Sequence, residues 1–201
     1  MNINITKKGY YFLGLIGALY AWVIVLFFTK PVEPEDLFIQ LAVLTGYTSL
    51  FLAAIITPFM KQVYEMFGTS FIRIHHIFSV LGLVLITIHP ISMAIVWEAP
   101  ELFLVEFDSW KSFWFNAGRP AFYLLYIAAV PVLIRKYLPE WGWRILHGLV
   151  YVALVFGYFH GVLIGTDFEN MWIMITFTAM LVLLFEVLIY KRYITYKRKK
   201  K

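Results

Sequence analysis

Three of the five histidines in this 201-residue chain lie in one apolar stretch, residues 69–97. His75, His76 and His89 stand in this stretch, and no Asp, Glu, Lys or Arg occurs between positions 74 and 97. An ionisable ring is costly inside a membrane, so histidines in such a segment mark a functional site. The fourteen residues from His75 to His89 leave the two rings roughly 40° apart on one helix face and about 21 Å apart along its axis. This spacing suits two ligands at two depths of a hydrocarbon core that is about 30 Å thick.

The composition is that of a polytopic membrane protein. Hydrophobic residues make up 62% of the sequence and charged residues 14%, which excludes an ordinary soluble domain. The absence of cysteine excludes disulfides, thiolate chemistry, iron–sulfur ligation and covalent C-x-x-C-H haem attachment. Neither a G-x-G-x-x-G nor a G-x-x-x-x-G-K-[ST] element is present. A chain of this length leaves no room for a flavin or nicotinamide domain beside its membrane part.

Apolar runs of the length that a bilayer requires predict six transmembrane helices in a single domain, residues 1–201. The predicted spans are 9–28, 37–60, 71–97, 120–133, 143–165 and 170–190. Residues 98–119 mix acidic with aromatic side chains and are predicted to form a loop with a piece at the membrane interface, where aromatic belts lie. The predicted fold class is therefore all-α, a bundle of six membrane-spanning helices.

Basic and acidic residues alternate between loops in the manner that sets membrane orientation. The N-terminus, segments 61–73 and 135–144 and the C-terminal tail contain fourteen Lys and Arg residues, whereas the other three loops contain three. Nine of the twelve acidic residues lie in those three loops. Both termini are therefore predicted to be cytoplasmic. The basic tail, 197–201, is predicted to be a solvated anchor at the lipid membrane and not a nucleic-acid-binding arm.

The remaining histidines, His147 and His160, lie in the fifth predicted span. The third and fifth spans both begin on the predicted cytoplasmic side, so His75 or His76 shares a depth with His147, and His89 shares a depth with His160. Thirteen residues separate His147 from His160, which leaves these rings about 140° apart on an ideal helix. Tilt, a kink or loosened geometry would have to absorb that angle. Because His76 and His89 are also thirteen residues apart, His75 is the better inner candidate.

Four histidines in two layers favour haem over a single metal ion. A zinc site needs its ligands to converge in one small tetrahedron, whereas haem iron takes two axial imidazoles, which the sequence offers once per layer. The alternatives are histidines that only hydrogen-bond between helices and glycines that serve only helix packing through a small-xxx-small pattern. Small residues beside the histidines would let a flat macrocycle approach the backbone: Gly82, Gly148, Ala153, Gly157 and Gly161.

At these positions the chain resembles the ferric-reductase-like transmembrane domain family. Its members include ferric reductases, NADPH oxidases and MsrQ, the haem-binding subunit of the bacterial methionine sulfoxide reductase system. The resemblance covers about residues 44–190 and rests on LTGYTSLFLAAIITP (44–58), His89-Pro90, GRP (118–120) and WRILHGLVYVALVFGYFH (143–160). It implies two b-type haems, with His75, His89, His147 and His160 as the iron ligands, and electron flow from the cytoplasm outward.

The chain departs from parts of this family at three positions. MsrQ members typically carry arginines where this chain has His75 and His76, and histidine there is what reductase and oxidase members need for an inner pair. Oxidase members often have an aromatic residue where this chain has Ala153. The thirteen-residue interval from His147 to His160 is similar to that of the family's fifth helix.

Three arginines are candidates to bind haem propionates, because a guanidinium binds carboxylates bidentately. Arg119 is the candidate for the outer haem, and Arg73 and Arg144 are the candidates for the inner haem. The alternative for Arg119 is an interfacial arginine whose head group reaches to water. For the other two, the alternative is the ordinary excess of basic residues on the cytoplasmic side.

Three functions remain open from the sequence. The first is transmembrane electron transfer by an oxidoreductase, or by the haem-binding subunit of one. The donor would be a cytoplasmic-side flavin, flavoprotein or quinol, and the external acceptor would be ferric iron, oxygen or a partner subunit. The second is a quinol-linked dihaem cytochrome b that anchors a larger complex. The third is a non-redox, proton-coupled transporter with histidine relays, which predicts no visible chromophore.

Overall fold

The computed structural model describes residues 5–200, and every regular element within them is a helix. Eight α-helices follow one another in this part of the chain: α1 Lys7–Phe27, α2 Pro34–Ile55, α3 Met60–Phe67, α4 Phe71–Val96, α5 Trp110–Phe115, α6 Gly118–Leu133, α7 Glu140–Ile164 and α8 Met171–Lys199. Short 3-10 turns lie between them at Thr57–Phe59, Pro100–Phe103, Arg135–Tyr137 and Thr166–Glu169. The predicted all-α class is confirmed. The last residue of the predicted basic tail, Lys201, lies outside the described residues.

Five stretches are long and apolar enough to cross a membrane: Lys7–Phe27, Pro34–Phe67, Phe71–Val96, Glu140–Ile164 and Met171–Arg198. The fourth predicted span, 120–133, corresponds to the shorter apolar helix α6. The sixteen residues of α6 extend over about 24 Å, less than the hydrocarbon core of about 30 Å. Five helices therefore support a membrane protein, and the sixth span stays a prediction. Large apolar side chains face outward, as lipid contact requires; examples are Leu15, Val25, Val80, Ile95, Leu183 and Ile189.

Neighbouring residues explain where several helices begin and end. The Thr6 side chain accepts a hydrogen bond from the Gly9 amide at 3.2 Å and so caps α1. Asn170 caps α8 through a backbone amide two residues further on, at 2.9 Å. Pro34 opens α2, where its missing N–H costs no hydrogen bond. Gly68 ends α3 with a φ of 58°, a left-handed conformation that glycine adopts readily.

Helix α2 lies at the centre of the packing. Most of its apolar stretch is buried inside the protein, whereas few residues of α4 and α7 are fully buried. The most extensive contacts between helices are those of α2 with α4 and of α6 with α7. Two glycines allow α2 and α4 to approach closely: a Cβ at Gly82 would lie 2.7 Å from Leu50 Cγ, and one at Gly46 would lie 3.0 Å from the Ile86 backbone nitrogen. The bundle is therefore built around two helix pairs, α2–α4 and α6–α7.

One end of the bundle, here called the basic end, contains the start of α1, helix α3 and the end of α8. The Thr6 amide donates to the Met66 carbonyl at 2.9 Å, which joins the start of α1 to α3. The Lys191 ammonium of α8 lies 4.2 Å from the centroid of the Phe59 ring. This distance is that of a cation–π contact. The basic segments at the start of α1, in α3 and at the end of α8 thus meet at one end.

The opposite end, here called the acidic end, consists of the loops after α1, α4 and α7. Lys30 Nζ lies 2.8 Å from Asp167 Oδ1, and the Asn170 amide donates to Thr29 Oγ1 at 2.7 Å. These contacts tie the loop after α1 to the loop after α7. The Asp167 side chain is only 8% exposed, and no other donor among the described residues reaches its Oδ1 atom. Burial raises the pKa of Asp167 above its usual value, although Lys30 opposes the shift.

Gly82→Ala should lower the free energy of unfolding by about 1–3 kcal/mol, because the new methyl group would overlap Leu50 in a packed interface. The matched control is Gly17→Ala in α1, where a Cβ would meet nothing within 4 Å. Alanine should there raise stability by up to about 1 kcal/mol through its higher helix propensity. Thermal unfolding in one detergent measures both variants. Equal effects of the two substitutions would contradict the close contact between α2 and α4.

Lys30→Met should destabilise the protein by about 2–3 kcal/mol near neutral pH, because a buried carboxylate loses its partner. The folded-state pKa of Asp167 is already raised, so its contribution to stability is greatest below the unfolded pKa and is lost as pH rises through the folded pKa. Removal of the lysine raises this pKa further. Asp167 then takes up a proton as pH falls, and the loss caused by the substitution should shrink towards about pH 4.

The control for this prediction is Lys61→Met. Lys61 and Glu65 form an ion pair whose side chains are 85% and 58% exposed, so its loss should change stability by less than about 1 kcal/mol. Unfolding midpoints across the range from about pH 4 to pH 8 measure both variants. A loss for Lys30→Met that stays constant across this range would show that Asp167 does not carry the effect.

Candidate functional site: two pairs of histidines

The two ligand candidates on α4 are each held by a backbone carbonyl of α2. His75 Nδ1 lies 3.0 Å from the Ala53 carbonyl oxygen, and His89 Nδ1 lies 3.3 Å from that of Ile39. A carbonyl oxygen only accepts hydrogen bonds, so Nδ1 carries the proton in both contacts. The other ring nitrogen, Nε2, then keeps the lone pair with which a neutral imidazole binds a metal.

The two histidines of α7 are held in the same manner by α5 and α6. His147 Nδ1 lies 3.1 Å from the Ala128 carbonyl oxygen in α6, and His160 Nδ1 lies 2.8 Å from that of Phe115. Phe115 is the last residue of α5, and a carbonyl at a helix end lacks a partner within its own helix. All four candidate ligands therefore have the same proton arrangement.

Equal intervals relate the histidines to their acceptors. Fourteen residues separate His75 from His89, and fourteen also separate their acceptors in α2. Thirteen residues separate His147 from His160, and thirteen separate their acceptors in the α5–α6 segment. In both cases the earlier histidine uses the later acceptor, as antiparallel neighbours in a constant register require. The thirteen-residue interval on α7 thus lets both rings reach the same neighbouring segment.

His75 and His147 meet near the basic end. Their ring centroids are 6.1 Å apart, with planes inclined at 76°. Two imidazoles on opposite sides of one metal ion, with metal–nitrogen distances of about 2.0–2.1 Å, have centroids roughly 6 Å apart. The exposed His76 has its ring 6.1 Å from that of His75, and no ring contact among the described residues joins it to His147. The structure therefore brings His75, and not His76, to His147.

His89 and His160 line one cavity near the acidic end, with a volume of about 390 Å³. Ligand sites typically have volumes of about 300–1,000 Å³, with mainly apolar walls and a few polar groups. The walls here fit that description, since Leu44, Ile86 and Phe177 contribute apolar surface. The polar residues at the cavity include Asp36, Gln40, Asn116, Arg119, Thr166 and Asp167. This cavity is the place where the second pair could share a ligand.

Three of the small residues near the histidines leave space, as expected. Gly157 and Ala153 line the cavity, and a Cβ at Gly157 would approach only the Tyr47 ring, at 3.8 Å. At Gly148, next to His147, a Cβ would meet nothing within 4 Å apart from its two chain neighbours. These positions agree with the expectation that a flat molecule could approach the backbone there.

At the other two glycines, protein side chains fill the space on the Cβ side. Leu50 fills the space beside Gly82, and the Phe168 ring would lie 2.7 Å from a Cβ at Gly161. A flat molecule could therefore not approach Gly82 from this side, whereas Gly161 still lines the cavity. The small size of Gly82 serves helix packing, which was the alternative interpretation.

Arg119 lies at the cavity and holds the loop that covers it. Its guanidinium donates to the Leu104 carbonyl at 2.6 Å and lies 3.5 Å from a Glu106 carboxylate oxygen. The Tyr123 hydroxyl donates to the carbonyl of Phe103, which also lines the cavity, at 2.7 Å. Helix α6 thus fastens the segment after α4 over the cavity. Propionate binding by Arg119 stays a prediction, and Glu106 would compete with the propionate for the guanidinium.

The other two arginines lie at the surface of the basic end. Arg144 is exposed and pairs with Glu140, one helical turn away, at 2.6 Å. Arg73 is exposed and borders a shallow surface depression together with His76. Their predicted role at an inner haem stays a prediction.

No group of three or more His, Asp or Glu side chains converges within residues 5–200. A closed zinc site needs four ligands in one tetrahedron, and the described part of the chain does not form one. The four histidines lie instead in two separate layers, two in each. Two is the number of axial ligands that a haem iron takes.

The carbonyls that hold the histidines could not be identified from the sequence. They belong to Ile39, Ala53, Phe115 and Ala128, and every residue type carries the same group. The sequence feature that relates to these acceptors is the interval between the histidines. It predicts the interval between the acceptors only if the neighbouring helix is already known. Sequence reasoning therefore found the rings but missed their supports.

Comparison with protein-family models, with curated proteins and with solved structures gives no match for this chain. The likeness to ferric-reductase-like domains thus stays a resemblance carried by motifs. The two pairs of histidines, each held by backbone carbonyls, are the feature that points to a function of this chain.

Proposed function

We propose that this chain carries electrons across a membrane, with one b-type haem held by His75 and His147 and a second held by His89 and His160. One observation carries the proposal. All four rings donate through Nδ1 to a backbone carbonyl, which leaves four Nε2 lone pairs in two layers. A haem held by two of these imidazoles would supply one-electron transfer.

The carbonyl partners would set the properties of these ligands. A hydrogen bond from Nδ1 fixes the tautomer and the ring orientation and makes Nε2 a stronger donor to the metal. The acceptors belong to helices that are themselves packed against α4 and α7, so folding alone orients the rings. A site that is oriented before its ligand arrives avoids part of the entropy cost of binding.

The distance between the two layers supports a transmembrane path. The fourteen residues from His75 to His89 cover about 21 Å along α4, most of a hydrocarbon core of about 30 Å. One pair lies near the basic end, and the other lines a cavity near the acidic end. Two haems at these depths would divide the path across the membrane into shorter electron-transfer steps.

The distribution of charge supports a direction for this path. We place the basic end and both termini in the cytoplasm, with α6 as the sixth span. Fourteen basic and three acidic residues give the basic end a formal charge of +11, and three basic and nine acidic residues give the acidic end −6. An anionic donor, such as a reduced flavin nucleotide or an acidic flavoprotein, would be attracted to the basic end. A ferric, oxygen or protein acceptor would meet the acidic end.

The two alternative functions differ in how well the geometry supports them. A histidine relay takes up a proton on one ring nitrogen and releases one from the other, but Nδ1 of all four rings is engaged with a carbonyl that accepts only. A proton-coupled transporter is therefore less well supported. A quinol-linked membrane anchor would use the same two histidine pairs and would differ only in its partners.

Purified protein should contain two low-spin b-type haems per chain, extractable into acidic organic solvent. His75→Ala should remove one haem or convert it to a high-spin form, because the substitution removes one of two axial ligands. The matched control is His76→Ala at the next position, where the exposed ring does not contact His147; both haems should remain. Pyridine haemochrome content and reduced-minus-oxidised spectra measure these outcomes.

Each contrary result has a separate meaning. Protein without any haem would overturn the proposed function. A ratio near one haem per chain would restrict ligation to a single layer. Loss of haem in His76→Ala together with retention in His75→Ala would assign the inner ligand to His76.

Cationic acceptors should oxidise the pre-reduced protein faster than anionic acceptors of matched potential, because the acidic end concentrates cations and repels anions. We expect a difference of roughly tenfold at low ionic strength that shrinks as salt screens the charges. Stopped-flow measurement of haem oxidation at several salt concentrations tests this expectation.

Paired charge variants locate the effect. Glu98 and Glu101 are exposed at the acidic end, and Glu65 is exposed at the basic end. The double substitution Glu98→Gln with Glu101→Gln should reduce the preference for cationic acceptors, whereas Glu65→Gln should leave it unchanged. Equal rates for cationic and anionic acceptors at low salt would refute the electrostatic attraction of acceptors. Such a result would leave the haem assignment unchanged.

A further inference from the structure

The ring of His160 rests on one short segment that leads into α6. Its Nδ1 donates to the carbonyl of Phe115 at 2.8 Å. Three residues further on, a Cβ at Gly118 would lie 2.6 Å from His160 Cδ2, 2.8 Å from Nε2 and 2.9 Å from Cγ. All three distances are shorter than real Cβ atoms show. Glycine is therefore the residue whose backbone can lie this close to the ring.

The three distances also define the direction of approach. An atom that approached Cδ2 in the plane of the ring would lie much farther from the two atoms bonded to Cδ2 than from Cδ2 itself. The distances instead differ by at most 0.3 Å, so the Cβ of a larger residue would stand over the face of the imidazole. Gly118 thus supports the ring face, while Phe115 fixes Nδ1 at the ring edge.

The segment that carries Gly118 has no room to withdraw from the ring. Ala117 is 0% exposed, so protein atoms surround it on all sides. Arg119 donates to the carbonyl of Leu104 at 2.6 Å, which ties the start of α6 to the covering loop. A side chain at position 118 would therefore displace the imidazole and not the backbone.

The other glycines near the histidines do not share this contact. Gly148 directly follows His147, and a Cβ there would meet nothing within 4 Å apart from its two chain neighbours. Gly157 also lies near the cavity, and its nearest neighbour would be the Tyr47 ring at 3.8 Å. Gly118 differs from Gly148 and Gly157 in that its added Cβ would meet the ring of a histidine from another helix.

We propose that Gly118 is a positioning residue that sets the plane of the His160 imidazole and so the orientation of one ligand of the acidic-end pair. The effect of this positioning on a haem rests on the proposed function, whereas the contact between Gly118 and the His160 ring is independent of it. Because the orientation of an axial imidazole contributes to the electronic properties of the metal, Gly118→Ala should alter one haem and leave the other unchanged.

The decisive experiment is a double-mutant cycle on the purified full chain in one detergent, with thermal unfolding as the measurement. Gly118→Ala should lower the unfolding midpoint by roughly 3–10 °C when His160 is present, since overpacking displaces the ring. In a His160→Ala background the methyl group finds the space that the ring vacated, so the loss should fall to less than about a third of that value. The matched control is Gly17→Ala in α1, where a Cβ would meet nothing within 4 Å; it should cause no loss.

A spectroscopic measurement separates positioning from general packing. In the ferric protein, Gly118→Ala should shift the g values of one of two low-spin electron paramagnetic resonance signals, and Gly17→Ala should shift neither. Should Gly118→Ala fail to fold, recovery of folding by the added His160→Ala substitution would support the proposal, and failure to recover would overturn it.

Other outcomes overturn the proposal directly. An equal midpoint loss in both backgrounds, or no loss with His160 present, would show that Gly118 does not act through the ring. Two unchanged haem signals would refute its effect on the ligand. A chain that binds no haem would refute the proposed function, while the stability cycle would still decide whether Gly118 positions His160.

Discussion

The arrangement of the site depends on four hydrogen bonds from imidazole to backbone. A buried N–H group in an apolar environment must find an acceptor, or it costs several kcal/mol. The carbonyls of α2 and of the α5–α6 segment satisfy Nδ1 of all four histidines. No residue described by the structure donates to any of the four Nε2 atoms. The protein therefore satisfies one nitrogen of each ring and leaves the other to a ligand, an asymmetry that histidines used only for packing between helices do not need.

Helix packing and ligand geometry constrain each other in this bundle. The bonds from α4 to α2 require these helices to stay in one register over fourteen residues, and Gly46 and Gly82 permit the close approach that this register needs. A sliding of α4 along α2 by one residue would break both bonds together, because both acceptors lie on the same helix. The ring contact between His75 and His147 then joins the α2–α4 pair to the α6–α7 pair. Correct packing of the two helix pairs is thus a condition for assembling either pair of ligands.

Local properties of the sequence were sufficient to find the candidate residues. Hydropathy marked the apolar segments, and the interval from His75 to His89 placed two rings on one helix face. Both features can be identified within one continuous stretch of sequence. Features that depend on distant residues could not be found in this way. The side chains of Leu50 and Phe168 fill the space on the Cβ side of Gly82 and Gly161. The carbonyls that accept from the histidines belong to other helices. Hydropathy also marks where lipid ends and not where a helix ends, so α8 continues to Lys199 through basic and tyrosine residues beyond the predicted limit at 190.

Under the proposed function, the choice of partner and the redox chemistry belong to different parts of the chain. Charges in the loops act on molecules in solution, and salt screens them beyond a distance of about 8 Å. The histidine pairs lie among apolar helices, where the carbonyl partners and the low dielectric constant govern the ligands. Lys30 and Arg119, two of the three basic residues of the acidic end, are each paired with a carboxylate, Asp167 and Glu106. These pairs join loops to one another and to α6 without changing the net charge that an approaching molecule meets. Loop residues could therefore be exchanged to suit another donor or acceptor while the register that supports the four imidazoles stays the same.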